Sequence, residues 1–408
     1  MAFTNNKKVK LWAERVADEM PVVKKSRPYL TQEEMKGKKY GMSYKVYIPD
    51  NGRVFDGLVA NEDGVNEVEY EITLKNKGNS CSIDSWDEIT NIESFDKEIV
   101  KPRAVKLAKE IQQDVIKNTF YRSAQAVVTT GAADFETLSE GAAKLREAAV
   151  AGNAVSFMSP TTMGKIAAGG LAKFIPDEEQ KKIYHKAYLG EYAGASQIEV
   201  QGVPVITTPS AAATLSVSFT TAEKGLEPVS TGTITNGVAG ASIPFSAEGL
   251  KLVDVNGVET DQDFIVMADA SGNFPELRIT YPGQNFNNAN AWVADGTSSL
   301  TFVPLLSTST KYEVGQVRID DALAFDTYKF NKLAGVEDLG SETVDGVRVE
   351  CVKGSNVKTR ESLVRIDCPF AARTTRGSSI GHGVHQKVSS TDNKIMKNTY
   401  TFVGVFLY

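Results

Sequence analysis

His382 and His385 stand three residues apart in the run GHGVH, where two imidazoles could hold a metal with Cys368 or Asp367 as further donors. No third ligand has a diagnostic spacing, and Gly-flanked histidines usually sit in turns, so a turn is the preferred reading. The remaining histidine, His185 in KKIYHKAY, reads as a surface or interfacial residue. Three histidines leave few bases for a Ser-His-Asp or Cys-His site. No GxxxxGK[ST] phosphate loop occurs, and no GxGxxG follows a strand, so nucleotide-driven work has no support. The acidic run Asp254, Glu259, Asp261 and Asp263 could attract calcium, but it lacks the spacing and glycine of a calcium loop. Solvated loop charge is the preferred reading. The alternative is an ion-pair loop between subunits, with Lys251 or Arg278 of another copy as its partner. Cys81, Cys351 and Cys368 are too few for a disulfide framework and contain no CxxC pair, so free thiols are expected. The expectation is no catalytic residue, cofactor or metal.

Chemistry being absent, the elements carry the information. At 408 residues the chain can form two or three domains. Hydrophobic residues at 41% and charged residues at 24% exclude wholesale disorder. No apolar run approaches the roughly 20 residues that span a bilayer. The N-terminus, MAFTNNKKVKLWAERVADEM, has no apolar core after its basic residues, so no secretory signal is read and cytoplasmic synthesis is expected. A net charge of −6 argues against tight binding of nucleic acid through bulk electrostatics.

Val9, Trp12, Val16 and Met20 recur near helical spacing, with Pro21 expected to end the helix, and a charged extension around Lys24, Lys25 and Arg27 follows. A frayed terminus fits that stretch equally well. The period then becomes two. Tyr44, Val46 and Ile48 form one strand; Val68, Tyr70, Ile72 and Leu74, alternating with Glu67, Glu69, Glu71 and Thr73, form another. The span between them is too long for a tight hairpin and predicts a projecting two-stranded loop that needs a surface to lie on. Pro102 opens a helix running to about Arg122, with Val105, Ala108, Ile111, Val115 and Thr119 on one face. A second helix, Asp134 to Ala149, has Asp134 as its cap. A strand at 153–160, a helix at 161–172, a charged helical segment around Glu178 to Lys182, and an edge strand at 197–209 bulged at Pro204 come next.

After Ser210, to about Leu306, the composition turns to Thr, Ser, Val, Gly and Asn, with turn signals such as Asn236–Gly237 and Asn256–Gly257; Lys311 to Leu339 carries no clear pattern, and the β-rich stretch as a whole is taken as Ala211 to Gly340. Short β runs at 250–255, 264–268, 276–281 and 300–305 predict a small sandwich or barrel. GVRVECVKG, SLVRIDCPF and the apolar close TYTFVGVFLY then restore mixed character. The β module is thus an insertion, and the last strand must be buried in the main fold or in a partner.

With these elements in order, the chain resembles the tailed-phage major capsid proteins of the Hong Kong 97 fold, in the short-tailed-phage subgroup that carries an inserted immunoglobulin-like domain. The residues that carry the likeness are IESFDKEIVKPRAVKLAKEIQQDVIKNTFY, AVSFMSPTTMGKIA with GASQIEVQGVPVITTP, and VECVKGSNVKTRESLVRIDCPFA, over about two-thirds of the chain. The resemblance implies an α+β fold: an N-terminal arm at 1–40, an extended loop with adjoining strands at 41–90, a spine helix at 91–125, a peripheral and axial core at 126–210 and 341–408, and an inserted β domain at 211–340. It implies a subunit that assembles into pentamers and hexamers of an icosahedral phage head around double-stranded DNA, in the host cytoplasm. Its partners would be further copies of itself, a scaffolding protein, a portal protein and weakly contacted DNA, with no membrane. Tyr44, Val46, Ile48, Val68, Tyr70 and Ile72 would lie at a subunit interface, and Glu14 and Asp18 near the scaffold. Asp254, Glu259, Asp261 and Asp263 would sit in a loop between capsomers. Two other classes compete: a cell-surface or secreted binding protein with an immunoglobulin-like module, and an enzyme with a β lid.

Overall fold

The computed structural model describes residues 5–26, 43–49, 67–83, 101–120, 125–129, 131, 134–147, 152–169, 191–192, 194–219, 230–239, 243–247, 251–253, 259–261, 264–268, 299–329, 337–356, 361–374, 383–387, 394–398 and 402–407. Helix α1, Asn5–Asp18, buries Val9, Trp12 and Val16 as the spacing requires. Helix α1 ends at Asp18, before Pro21, as expected. Pro21 opens a second short helix, α2, Pro21–Lys24, from a first-turn position where its missing N–H costs nothing. Strands β1, Ser43–Pro49, and β2, Glu67–Thr73, pair as a two-stranded sheet. Leu74 lies outside β2. Strand β3, Lys75–Ile83, forms from the turn-like sequence KNKGNSCSI, which carries no strand signal of its own.

Helix α3 spans Lys101–Thr119. Strand β4, Gln125–Val128, leads to α4, Phe135–Glu147, where Asp134 Oδ1 accepts from Thr137 N at 3.1 Å and caps the helix. Strand β5, Ala154–Met158, precedes α5, Pro160–Gly169, capped by Ser159 Oγ, which accepts from Thr162 N at 3.1 Å. The expected single strand at 197–209 is two. Strands β6, Glu191–Tyr192, and β7, Ala195–Glu199, are separated from β8, Val205–Thr207, by a turn with Gly202 at φ +83°. The charged segment around Glu178 lies outside the described residues, as does the run at 276–281.

The β-rich stretch contributes β9, Thr214–Phe219; β10, Ser230–Thr235; β11, Ile243–Ala247; β12, Lys251–Val253; β13, Glu259–Asp261; β14, Phe264–Ala268; and β15, Ser299–Pro304. Five of these form one sheet in the order β10-β9-β15-β11-β14, and β12 pairs with β13. The remaining strands are β16, Lys311–Ile319; β17, Leu323–Thr327; β18, Glu337–Val344; β19, Val347–Asn356; β20, Glu361–Thr374; β21, Gly383–Lys387; β22, Lys394–Asn398; and β23, Phe402–Leu407. The chain divides into two compact units.

The first unit comprises Met1–Val46, Glu69–Asn118 and Leu323–Thr375. Its sheet is built on β20, whose first half pairs with β19 and second half with β17, while β3 runs along the opposite edge over Lys75 to Ile83. Strands β18 and β19 meet at a two-residue turn, Asp345 and Gly346, with φ of 48° and 80°. Both angles are positive, the primed geometry that matches strand twist and that an Asp-Gly pair adopts readily. Val349, Cys351, Ile366, Cys368 and Phe370 alternate onto one buried face, and Phe325 stacks on Phe370 at 5.8 Å. Helix α1 packs on β18 and β19, so the expected arm helix lies on a sheet of its own chain.

The second unit comprises Tyr47–Val68, Thr119–Ala322 and Arg376–Tyr408. Its main sheet runs β4-β23-β16-β5-β7-β6, with β8 also on β16. The apolar last strand pairs inside the main sheet, parallel to β4 and antiparallel to β16, and its Leu407 is buried. Leu138 and Leu145 of α4 and Met163 and Ile166 of α5 pack with Met158, Val317, Ile319 and Leu407 of the sheet. Arg318 alternates to the other side of β16, fully buried, its guanidinium 4.5 Å from the Phe157 ring centroid. Burial pushes its pKa down to about 9, with nearby Asp320 pulling the other way.

Lys311 to Thr327, expected in the β module, belong instead to these two sheets: β16 is central in the second unit and β17 sits in the first. Strands β8 and β16 pair directly, Val205 opposite Glu313 and Thr207 opposite Lys311. The chain therefore leaves the main sheet at β8 and returns to it at β16. The exit is stitched by Thr208 N to Thr310 O at 2.8 Å, Ser309 N to Pro209 O at 2.9 Å and Thr310 N to Thr208 Oγ1 at 2.8 Å.

Candidate assembly surfaces

The residues expected at a subunit interface occupy β1 and β2: Tyr44, Val46 and Ile48 on the first, Val68, Tyr70 and Ile72 on the second. The tip joining them, 50–66, lies outside the described residues. Ile72 is buried within its own chain, at 4% exposure. Glu14 and Asp18 both lie on α1. Glu14 is 3.9 Å from Lys10, and Asp18 accepts from Lys24 Nζ at 3.0 Å; Lys24 also approaches Asp345 at 3.7 Å, across the β18–β19 turn. These pairs are largely exposed and each is worth about 0–1 kcal/mol. Of the acidic run, Glu259 and Asp261 lie on β13, opposite Val253 and Lys251 of β12. Asp254 and Asp263 lie outside the described residues.

No group of three or more His, Cys, Asp or Glu among the described residues could hold a metal. His385 sits in β21 opposite Met396, a strand position rather than the expected turn. The run GSSIG at 377–381 matches a GxSxG nucleophile pattern by letter. That pattern requires a strand-to-helix turn, and Gly383–Lys387 after it form a strand. Cys351 and Cys368 are buried free thiols, and burial with the adjacent Asp367 and Glu350 charges pushes Cys368 up to about 12.

The surface the sequence did not single out is the seam of α3 with β3. Lys75 Nζ donates to Asp114 Oδ2 at 2.8 Å, Lys77 lies 3.9 Å from Glu110, and Arg103 Nη1 donates to Asn79 Oδ1 at 3.1 Å and Ser80 O at 2.7 Å. Helix numbers rise as strand numbers fall, so the two run antiparallel. The helix buries Ala108, Ile111, Val115 and Thr119 of the expected face and widens it with Ala104, Leu107 and Ile116, while Val105 is only half-buried. The signal was present: 104, 107, 108, 111 and 115 keep helical spacing.

No family model matches the chain, and no curated protein does. Among solved structures it is similar to the capsid of Ralstonia phage GP4, at 7% identity over 91% of this chain and 84% of that one, with a TM-score of 0.46. It is similar also to the acid-stable capsid of Helicobacter pylori bacteriophage KHP30, at 11% identity over 90% and 84%, TM-score 0.43. A third similar structure is the holo-SrpI encapsulin complex from Synechococcus elongatus, at 9% identity over 89% and 81%, TM-score 0.40.

Proposed function

We propose that this chain is the major capsid protein of a double-stranded DNA phage, a structural protein that makes shells and no bonds. The subunits close into pentamers and hexamers of an icosahedral head assembled in the host cytoplasm, with a scaffolding protein and a portal protein as partners. In this reading α3 is the spine helix, β1 and β2 are the base of the extended loop, and the sheet β10-β9-β15-β11-β14 belongs to the inserted immunoglobulin-like domain of the short-tailed-phage subgroup. The observation that carries the reading is the β8–β16 junction, where a mixed sheet is opened between adjacent strands and closed again after a separate all-β sheet. The succession of α1, ribbon, long helix, core, β module and core follows the order on which the sequence resemblance rests.

Tyr70→Asp tests the interface role of the ribbon. The full-length variant is expected to stay monomeric and cooperatively folded while failing to assemble, read by sedimentation velocity beside circular dichroism. Shells formed as readily by the variant, or a monomer that no longer folds, would contradict that role.

A further inference from the structure

The outward side of α3 is a lysine ridge. With 3.6 residues per turn, Lys106, Lys109, Gln113 and Lys117 fall within a sector about 80° wide. All four are exposed, between the buried stripe and the side that faces β3. The acidic residues of the helix are engaged elsewhere, Asp114 with Lys75 and Glu110 with Lys77. Lys106, Lys109 and Lys117 form no ion pair among the described residues. Helix α3 and strand β3 together carry seven basic residues against two acidic ones, on a chain whose net charge is −6, so positive charge is concentrated here against the trend of the molecule. Such a local field attracts a polyanion even when the whole protein does not.

We infer that this ridge is the surface on which the shell meets its packaged duplex, through the phosphate backbone and without reading sequence; the inference rests on the capsid reading. Three features select phosphate over an acidic protein segment. The exposed positions hold no aromatic or aliphatic anchor, which a docked peptide needs for its binding energy. The cations are lysines, compact point charges on flexible stems that meet phosphate oxygens without a fixed two-pronged geometry, as contact that reads no sequence requires. The ridge from Lys106 to Lys117 is about 17 Å long at 1.5 Å per residue, and duplex DNA offers a phosphate charge about every 1.7 Å of its axis along that length. A few phosphates met by each subunit, repeated over a shell, retain the duplex while leaving each interaction weak enough to release.

The test uses the full-length chain and a 30-base-pair duplex of mixed sequence, with polyglutamate as the competing probe, by fluorescence anisotropy across salt concentrations. Lys106→Gln, Lys109→Gln and Lys117→Gln together are expected to flatten the slope of log K against log salt by about 2 to 3, near 0.9 for each phosphate no longer neutralised. A control variant with Lys10→Gln, Lys311→Gln and Lys329→Gln removes the same charge elsewhere and is expected to leave most of that slope in place. Unfolding midpoints are compared for all three proteins. Equal slopes for the ridge and control variants, or ridge-dependent binding of polyglutamate and not of the duplex, would overturn the inference. Shells that still form would then leave the capsid reading standing, so the two failures are distinguishable.

Discussion

Asp367 shows how single side chains specify this fold. It is nearly buried on the sheet of the first unit, accepting from Asn76 Nδ2 at 2.9 Å and Arg365 Nε at 2.8 Å, and its cross-strand neighbour Gly78 leaves room for the carboxylate. A Cβ at Gly78 would run into Asp367 Oδ1. Gly78→Val is expected to cost about 1–3 kcal/mol, because either the carboxylate loses partners or the strand shifts; urea unfolding of the purified chain measures it. Cys368, the next residue along β20, is fully buried on the opposite face. Its thiol, pushed up to about 12, is expected to resist maleimide in the folded protein at pH 8 and to label fully in urea, read by peptide mapping. The free thiol was expected from the sequence, but the strand that brings Asn76 and Gly78 to Asp367 was not legible in it. KNKGNSCSI has a turn's composition, and only nine residues of pairing with β20 make it a strand.

At the scale of elements, α3 is held by apolar burial more than by its seam with β3. Ile111 is fully buried, so Ile111→Ala is expected to lose about 2–5 kcal/mol. Asp114→Ala breaks a partly exposed ion pair and is expected to lose about 0–1 kcal/mol. Denaturant titration of both variants checks the ranking. The helices were readable because period and caps coincide: Asp134 before Phe135 and Pro102 near the start of α3 are local signals. The limits of the β module were not. Lys311–Ile319 alternates poorly, with Val314 through Ile319 all buried, because β16 is central and covered on both faces. Deleting 211–340 therefore removes β16 and β17 and is expected to abolish cooperative unfolding. Deleting 211–306 with a short Gly-Ser closure keeps the β8–β16 pairing and is expected to retain it, as followed by circular dichroism on heating.

For the whole molecule, the question is what many weak interactions accomplish together. Exposed ion pairs such as Lys10–Glu14 and an unanchored lysine ridge contribute little in a monomer. In a closed symmetric shell each interface raises the effective concentration of the next, so modest interfaces give a stable particle and still allow misplaced subunits to leave. The sequence carried this reading through the order of its elements rather than through any motif. The measurement that bears most directly on the account is cryo-electron microscopy of the purified full-length chain over a range of concentrations, alone and with candidate scaffolding protein. The account predicts pentamers, hexamers, tubes or closed shells. A chain that stays a monodisperse monomer under every condition would contradict it.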